Sequence, residues 1–204
     1  MPTLYHAPQS RSSRIVTLLD ELGAGDRVEI VPVTIPRVDG TGGPDAANPH
    51  PEGKVPFLVD GSEGMRESTA IVLYLTDLLG DGSLGPRAGE PGRAAYLSWL
   101  AYYAAVVEPV MVLRAAEIAH PILTTTFRGM DELTAQLTAG LADAPYLMGD
   151  GYTAADLMLA SPFAWFPDAT PDVPAIRDWV ARTQDRDSVR RTVARDADWI
   201  AARG

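Results

Sequence analysis

Apolar positions along this 204-residue chain change their rhythm near residue 80. Before it, short apolar runs alternate with stretches of helical spacing. "PTLYH" (2–6) is rich in strand formers. "SSRIVTLLDELG" (12–23) places Ile15, Leu18, Leu19 and Leu22 at helical spacing and closes on Gly23. "VEIVPV" (28–33) reads as a buried strand, so the chain begins β–α–β in the length of one crossover unit. Residues 34–53, rich in Pro, Gly and Asp, read as a loop with room for a short helix. "VPFLVDG" (55–61) is a strand, and "EGMRE" (63–67) pairs with it as a hairpin across Asp60-Gly61-Ser62. "STAIVLYLTDLLG" (68–80) is a helix with Ser68 as N-cap and Gly80 at its end. The order β-α-β-α-β-β-α, its second helix the short one, describes a small α/β domain with its own core, residues 1–80.

"GDGSLGPRAGEPG" (80–92) has no periodicity and is crowded with Gly and Pro. It marks a linker over 81–90. Beyond it every periodic segment is helical, roughly 91–119, 121–143, 153–166, 174–185 and 187–202. Residues 91–204 therefore read as an all-α helical-bundle domain. One stretch, "AAYLSWLAYYAAVVEPVMVL" (94–113), carries only Glu108 as a charge and is long enough to span a bilayer. Glu108-Pro109 interrupts it and Arg93 and Arg114 flank it, so the expectation is a bundle's central helix and no membrane association.

Charge narrows the classes further. The net charge is −10, and residues 1–80 carry 6 Arg/Lys against 11 Asp/Glu. Without a basic stripe, nucleic acid is excluded as a partner. An anionic ligand has to be met by local cations against the overall field. There is no cysteine, which excludes disulfides, thiolate metal sites and a cysteine nucleophile. "MPTLYHAPQS" has neither a basic nor an apolar leader region, so a cytoplasmic location is expected. Arginine far outnumbers lysine, which fits a GC-rich bacterial coding sequence.

Four short constellations carry the chemistry. Lys54, the one lysine, stands before Val55-Pro56. Proline belongs at a strand start or edge, and after a loop it is one of the few places for a cis peptide. From the residues alone, a trans proline ending the loop is the better reading. Glu67 and Ser68 stand where strand gives way to helix. Unpaired N–H groups and the helix dipole there suit a carboxylate, and Glu67 suits an ammonium, so the pair fits an α-amino-acid group. Simple N-capping explains it equally well. In "HAPQSRSSR" (6–14), Ser10, Ser12 and Ser13 can approach a ligand at the first helix or merely cap it, and His6 reads as structural. Thr153 and Asp156 form a capping box, with Tyr152 placed to staple against Leu157.

"NPHPEGKVPFLVDG", "RESTAIVLYL" and "LMGDGYTAADLMLA", in that order and spacing, resemble the cytosolic glutathione transferases, and 174–191 resembles that family's C-terminal segment. The resemblance covers nearly the whole chain. It implies a thioredoxin-like N-terminal domain, a helical C-terminal domain, a homodimer, and glutathione as co-substrate with no metal. It implies that Pro56 is cis, that Val55 holds the cysteinyl backbone of glutathione, that Glu67 and Ser68 hold the γ-glutamyl end, and that Lys54 lies near the glycyl carboxylate. The theta- and delta-like pattern puts the thiol-activating serine at Ser10, with Ser12 and Ser13 as runners-up. Tyr102, Tyr103, Val107 and Met111 on the long helix are candidates for an apolar electrophile pocket. The implied activity is attack of the glutathione thiolate on an apolar electrophile. The alternatives are a glutathione-dependent disulfide reductase, peroxidase or isomerase, or a non-catalytic ligand-binding member.

Overall fold

A computed structural model describes residues 1–202. The chain forms two compact units, one of residues 1–80 together with 187–202, the other of Asp81–Arg186.

The first unit is built on strands β1 (Thr3–His6), β2 (Glu29–Pro32), β3 (Phe57–Asp60) and β4 (Glu63–Met65), with helices α1 (Ser13–Glu21) and α2 (Ser68–Leu79). The sheet order is β2-β1-β3-β4. β1 and β2 are parallel, as a right-sized crossover through α1 requires, while β3 pairs antiparallel with both β1 and β4. This is the thioredoxin-like arrangement. Leu4, Ile15, Leu18, Leu19, Leu58, Ile71 and Leu75 are wholly or almost wholly buried and form its core. No helix forms between β2 and β3. Asp45 instead holds that loop, accepting from the Thr34 and Ala47 backbone N–H groups at 2.9 Å each.

Helix α2 begins one residue earlier than the cap reading placed it. Glu67 is the N-cap, with φ +68° and ψ 121°, and Ser68 is the first helical residue.

The chain's last helix, called α9 here in chain order (Asp187–Ala201), belongs to this unit rather than to the bundle. Its polar face explains why. Thr192 Oγ1 accepts from Thr17 Oγ1 at 3.0 Å, Arg191 pairs with Asp20 at 2.7 Å, and Asp196 reaches His6 at the end of β1 and Gln9 in the loop after it. Helix α9 thus packs along α1.

The second unit holds α3 (Arg93–Tyr102), α4 (Glu108–Ala115), α5 (Pro121–Thr126), α6 (Met130–Gly140), α7 (Ala154–Trp165) and α8 (Pro174–Gln184). Between α3 and α4 the chain widens into a π-turn over Tyr103–Val107. Pro109 accounts for it: proline has no N–H, and its ring would strike the carbonyl four residues back. The expected helix at 121–143 is likewise two helices, parted at Arg128-Gly129. The stretch Arg93–Ala115 is apolar and long enough to cross a membrane, but here it packs against α7 through both α3 and the π-turn. The capping box forms, with Thr153 N and Oγ1 both donating to Asp156 Oδ2 at 2.9 Å.

Candidate functional site

Strand register decides which loops meet. Tyr5 faces Phe57 and Leu58 faces Met65, so the C-terminal end of β1, the start of β3 and the end of β4 share one edge of the sheet. Three segments leave that edge together: the serine loop 7–12, Lys54-Val55-Pro56, and Arg66-Glu67-Ser68. These are the three segments whose residue types suggested ligand chemistry.

The Val55–Pro56 bond is cis, which the residues alone did not favour and the family resemblance implied. Asn48 holds the approach to it, its side-chain amide donating to the Lys54 carbonyl at 3.1 Å. His50 braces the same loop by accepting from the Glu52 N–H at 2.9 Å, and its ring stands edge-on to Phe57, 5.2 Å between centroids. Phe57 lies over Gly64, where a Cβ would come within 2.5 Å of the ring. A side chain on β4 at that point would displace the residue that follows the cis bond. Lys54 is exposed, and among the described residues its ammonium has no ion-pair partner. Arg66 is exposed too, 3.6 Å from Glu52.

Glu67 keeps a left-handed φ, a conformation rare for a residue with a β-carbon. The strain sits where β4 turns into α2, at an exposed residue beside the first N–H groups of that helix. Such outliers gather at ligand clamps, because a packed fold on both sides holds them in place.

The serine loop is the most heavily bonded part of the site. Gln9 also has a left-handed φ, +51°. Its N–H donates to Asp196 Oδ2 at 2.6 Å and its carbonyl accepts from Arg37 at 3.1 Å. Arg37 also donates to the Pro8 carbonyl. The three serines differ sharply. Ser12 is fully buried and makes a 2.8 Å contact with His6 Nδ1. Ser13 donates to Asp196 Oδ2 at 2.7 Å. Ser10 is half-buried, donates to the Ala7 carbonyl at 2.7 Å, and lies 2.7 Å from Ser12 Oγ. Of the two arginines beside them, Arg11 is exposed, whereas Arg14 is buried and donates to the Arg11 carbonyl at 3.3 Å.

Asp196 is the hub the sequence reading missed. Its Oδ1 accepts from His6 Nε2 at 3.0 Å, and its Oδ2 takes Gln9 N–H and Ser13 Oγ. Burial pushes its carboxyl up, but hydrogen bonds from His6, Gln9 and Ser13 prevail and hold it below the usual carboxylate value. His6, read from the sequence as structural, is fully buried against it.

The four pocket candidates lie in the helical unit. Tyr103, Val107 and Met111 are buried there, whereas Tyr102 is half-exposed. The Tyr102 hydroxyl is buried without a hydrogen-bond partner among the described residues, and burial raises its pKa against the nearby Arg128.

Residues 4–82 match the family model for the N-terminal domain of glutathione S-transferases. The chain is 30% identical to glutathione S-transferase 1 of Zea mays, over 94% of this chain and 95% of that protein. It belongs to the glutathione S-transferase family. A second relative, glutathione S-transferase 3 of Schizosaccharomyces pombe, is 27% identical over 93% of the chain and 86% of its own length. Among solved structures, a glutathione transferase from Methylococcus capsulatus is 25% identical, with a TM-score of 0.74 over 97% of this chain and 99% of that one. A glutathione S-transferase from Actinobacillus pleuropneumoniae, at 23% identity and a TM-score of 0.77 over 97% and 93%, shares the fold.

Proposed function

We propose that this protein is a glutathione transferase that binds glutathione along the shared edge of its first sheet and activates the thiol with Ser10. The observation that carries the reading is the convergence of the serine loop, the cis Val55–Pro56 bond and the Glu67–Ser68 helix start on that edge, in a chain of this family. A structural neighbour, a sphingomonad glutathione S-transferase, is complexed with glutathione, which supports the choice of ligand.

Each group then has a role. The Val55 backbone pairs with the cysteinyl residue of the tripeptide beside cis Pro56. Glu67 accepts from the γ-glutamyl ammonium. Ser68 and the first N–H groups of α2 receive the γ-glutamyl carboxylate at the positive end of the helix dipole. Lys54, exposed and without an ion-pair partner among the described residues, meets the glycyl carboxylate.

Ser10 is the choice among the serines because it alone is partly exposed without being tied to Asp196. A free thiol has a pKa of about 8.5, so little thiolate exists at neutral pH. Lowering that by roughly 2 units takes about 2.7 kcal/mol. One hydroxyl donating to the sulfur anion supplies about 1.5–3 kcal/mol. The dipole of α1 adds about 0.3–1 kcal/mol. The thiolate attacks an apolar electrophile. A soluble, cytoplasmic homodimer completes the reading.

Retention on immobilised glutathione, followed by conjugation of a generic aryl halide, tests this. Binding and turnover are expected, and in Ser10→Ala the apparent pKa of the bound thiol rises by about 1–2 units. No retention refutes the glutathione site. An unchanged thiol pKa in Ser10→Ala refutes the role of Ser10.

A further inference from the structure

The activating serine does not stand alone. Ser10 Oγ is 2.7 Å from Ser12 Oγ, Ser12 Oγ is 2.8 Å from His6 Nδ1, and His6 Nε2 is 3.0 Å from Asp196 Oδ1. These four groups form one unbroken chain from the half-exposed loop into the interior. His6 and Ser12 have no exposed surface, and Asp196 has 3%.

Counting protons along the chain fixes its direction. A carboxylate only accepts, so His6 Nε2 carries hydrogen toward Asp196. In the neutral imidazole Nδ1 then holds a lone pair, and Ser12 donates its single proton to it. Ser12 Oγ is left to accept, which it does from the Ala7 N–H at 3.1 Å. The Ser10 proton therefore points inward, toward Ser12 Oγ and the Ala7 carbonyl, each 2.7 Å from Ser10 Oγ. That arrangement conflicts with a Ser10 hydroxyl that donates outward to sulfur. Turning the Ser10 proton out would leave two oxygen lone pairs facing each other at 2.7 Å. The conflict disappears if His6 becomes an imidazolium, because the Ser12–His6 and Ser10–Ser12 bonds then both reverse while Nε2 still donates to Asp196.

We infer that His6, paired with Asp196, is the acceptor of the glutathione thiol proton, reached through the hydroxyls of Ser10 and Ser12. The inference rests on Ser10 being the residue that meets the sulfur. The thiol S–H bond breaks as a Ser10 O–H bond forms. The former Ser10 proton passes to Ser12 Oγ, and the former Ser12 proton passes to His6 Nδ1. Neutral thiol and neutral imidazole become thiolate and imidazolium, with no net charge created. Ser10 ends by donating to the thiolate while accepting from Ser12. Asp196 remains ionised and stabilises the imidazolium. The groups set against His6 are Ser12 from the loop, and Asp196 and Trp199 from α9, whose indole lies 5.0 Å from the imidazole between ring centroids. Asp196 is the only one of these that carries charge. It also holds Gln9 and Ser13, so the same carboxylate fixes the loop geometry on which the transfer depends.

The relay predicts an unusual proton count. If a serine merely stabilises the thiolate, the thiol proton leaves to solvent. If His6 takes it, the proton stays on the protein. The experiment titrates glutathione into the full-length protein in weak buffer near neutral pH. Thiolate formation is followed by its ultraviolet absorbance and proton release by an indicator dye. S-methylglutathione, which has no thiol, supplies the correction for binding itself. For the wild type, thiolate is expected to appear with little corrected proton release. For Ser12→Ala, which cuts the chain but leaves the His6–Asp196 pair intact, and for His6→Gln, thiolate falls and whatever forms is matched by an equal release of protons. The wild-type count needs no variant, so a misfolded His6→Gln does not obscure the outcome. A wild type that releases a proton for every thiolate overturns the relay while leaving thiol activation by Ser10 standing. A wild type that binds glutathione without forming thiolate overturns both. Ser12→Ala indistinguishable from wild type in proton count and thiolate yield also overturns the relay.

Discussion

Replacing Asp156 by Asn tests how much the start of α7 depends on one buried carboxylate. Asp156 is fully buried and takes four hydrogen bonds, each 2.9 Å long. Oδ1 accepts from Leu147 N–H and Trp179 Nε1, and Oδ2 from Thr153 N–H and Oγ1. Asparagine keeps the shape but offers one acceptor oxygen. If the amide oxygen faces Thr153, its NH₂ points at two ring or backbone donors that cannot turn away. If it faces Leu147 and Trp179, the Thr153 hydroxyl can rotate to accept, and only the Thr153 N–H is orphaned. The second orientation costs less and sets the magnitude. One orphaned buried donor costs about 1–3 kcal/mol, and trading charge-assisted bonds for neutral ones adds about 1 kcal/mol, so the loss is about 2–4 kcal/mol. For a chain of this length each kcal/mol moves Tm by about 2–4 °C, which gives a fall of roughly 4–16 °C. Asp156→Ala orphans all four donors and falls further. Thermal and denaturant unfolding, followed by circular dichroism, read both variants. An Asn variant within about 0.5 kcal/mol of wild type, or one as damaging as Ala, refutes the accounting of acceptors.

Three other outcomes follow from the first unit. Lys54→Ala should leave the fold unchanged and weaken glutathione binding about two- to five-fold, the range of an exposed ion pair, and unchanged affinity by calorimetry would make Lys54 an ordinary surface residue. The Asp196 carboxyl is held below its ordinary 3.8 in the folded protein, so its stabilising contribution is complete above that value and is lost as pH falls through the lower folded value. Asp196→Asn should therefore be less stable at neutral pH and should show a shallower loss of stability below about pH 4, and an unchanged acid limb in urea melts would contradict this. Gly64→Ala puts a β-carbon 2.5 Å from the Phe57 ring and should cost about 1–3 kcal/mol, with weaker glutathione retention because Phe57 adjoins the Lys54-Val55-Pro56 segment. A variant that melts and binds as wild type would show that the ring yields freely.

What could be read from the sequence, and what could not, divides by distance along the chain. Strand and helix existence in the first 80 residues follows from local period, and β1, α1, β3 and α2 lie within a residue or two of where the pattern put them. Departures have local causes that hydropathy does not record. Pro109 opens a π-turn inside a stretch whose apolar pattern reads as unbroken, and the Arg128-Gly129 step divides a second one. Val-Pro alone does not announce a cis bond, and the loop ahead of it is tied down by Asn48 and His50 through bonds the local pattern does not record. His6 shows the limit most clearly. A single histidine at the end of a strand looks structural, and nothing within a dozen residues of it is acidic. Its partner Asp196 lies 190 residues away, on a helix whose charged surface reads as one more exposed face of the bundle. Only folding α9 back along α1 turns that surface inward and joins Asp196 to the serine loop. The segments proposed to face the ligand were legible because each is a short run with its own chemistry. The device that can accept their proton was not, because it exists only where two distant runs cross.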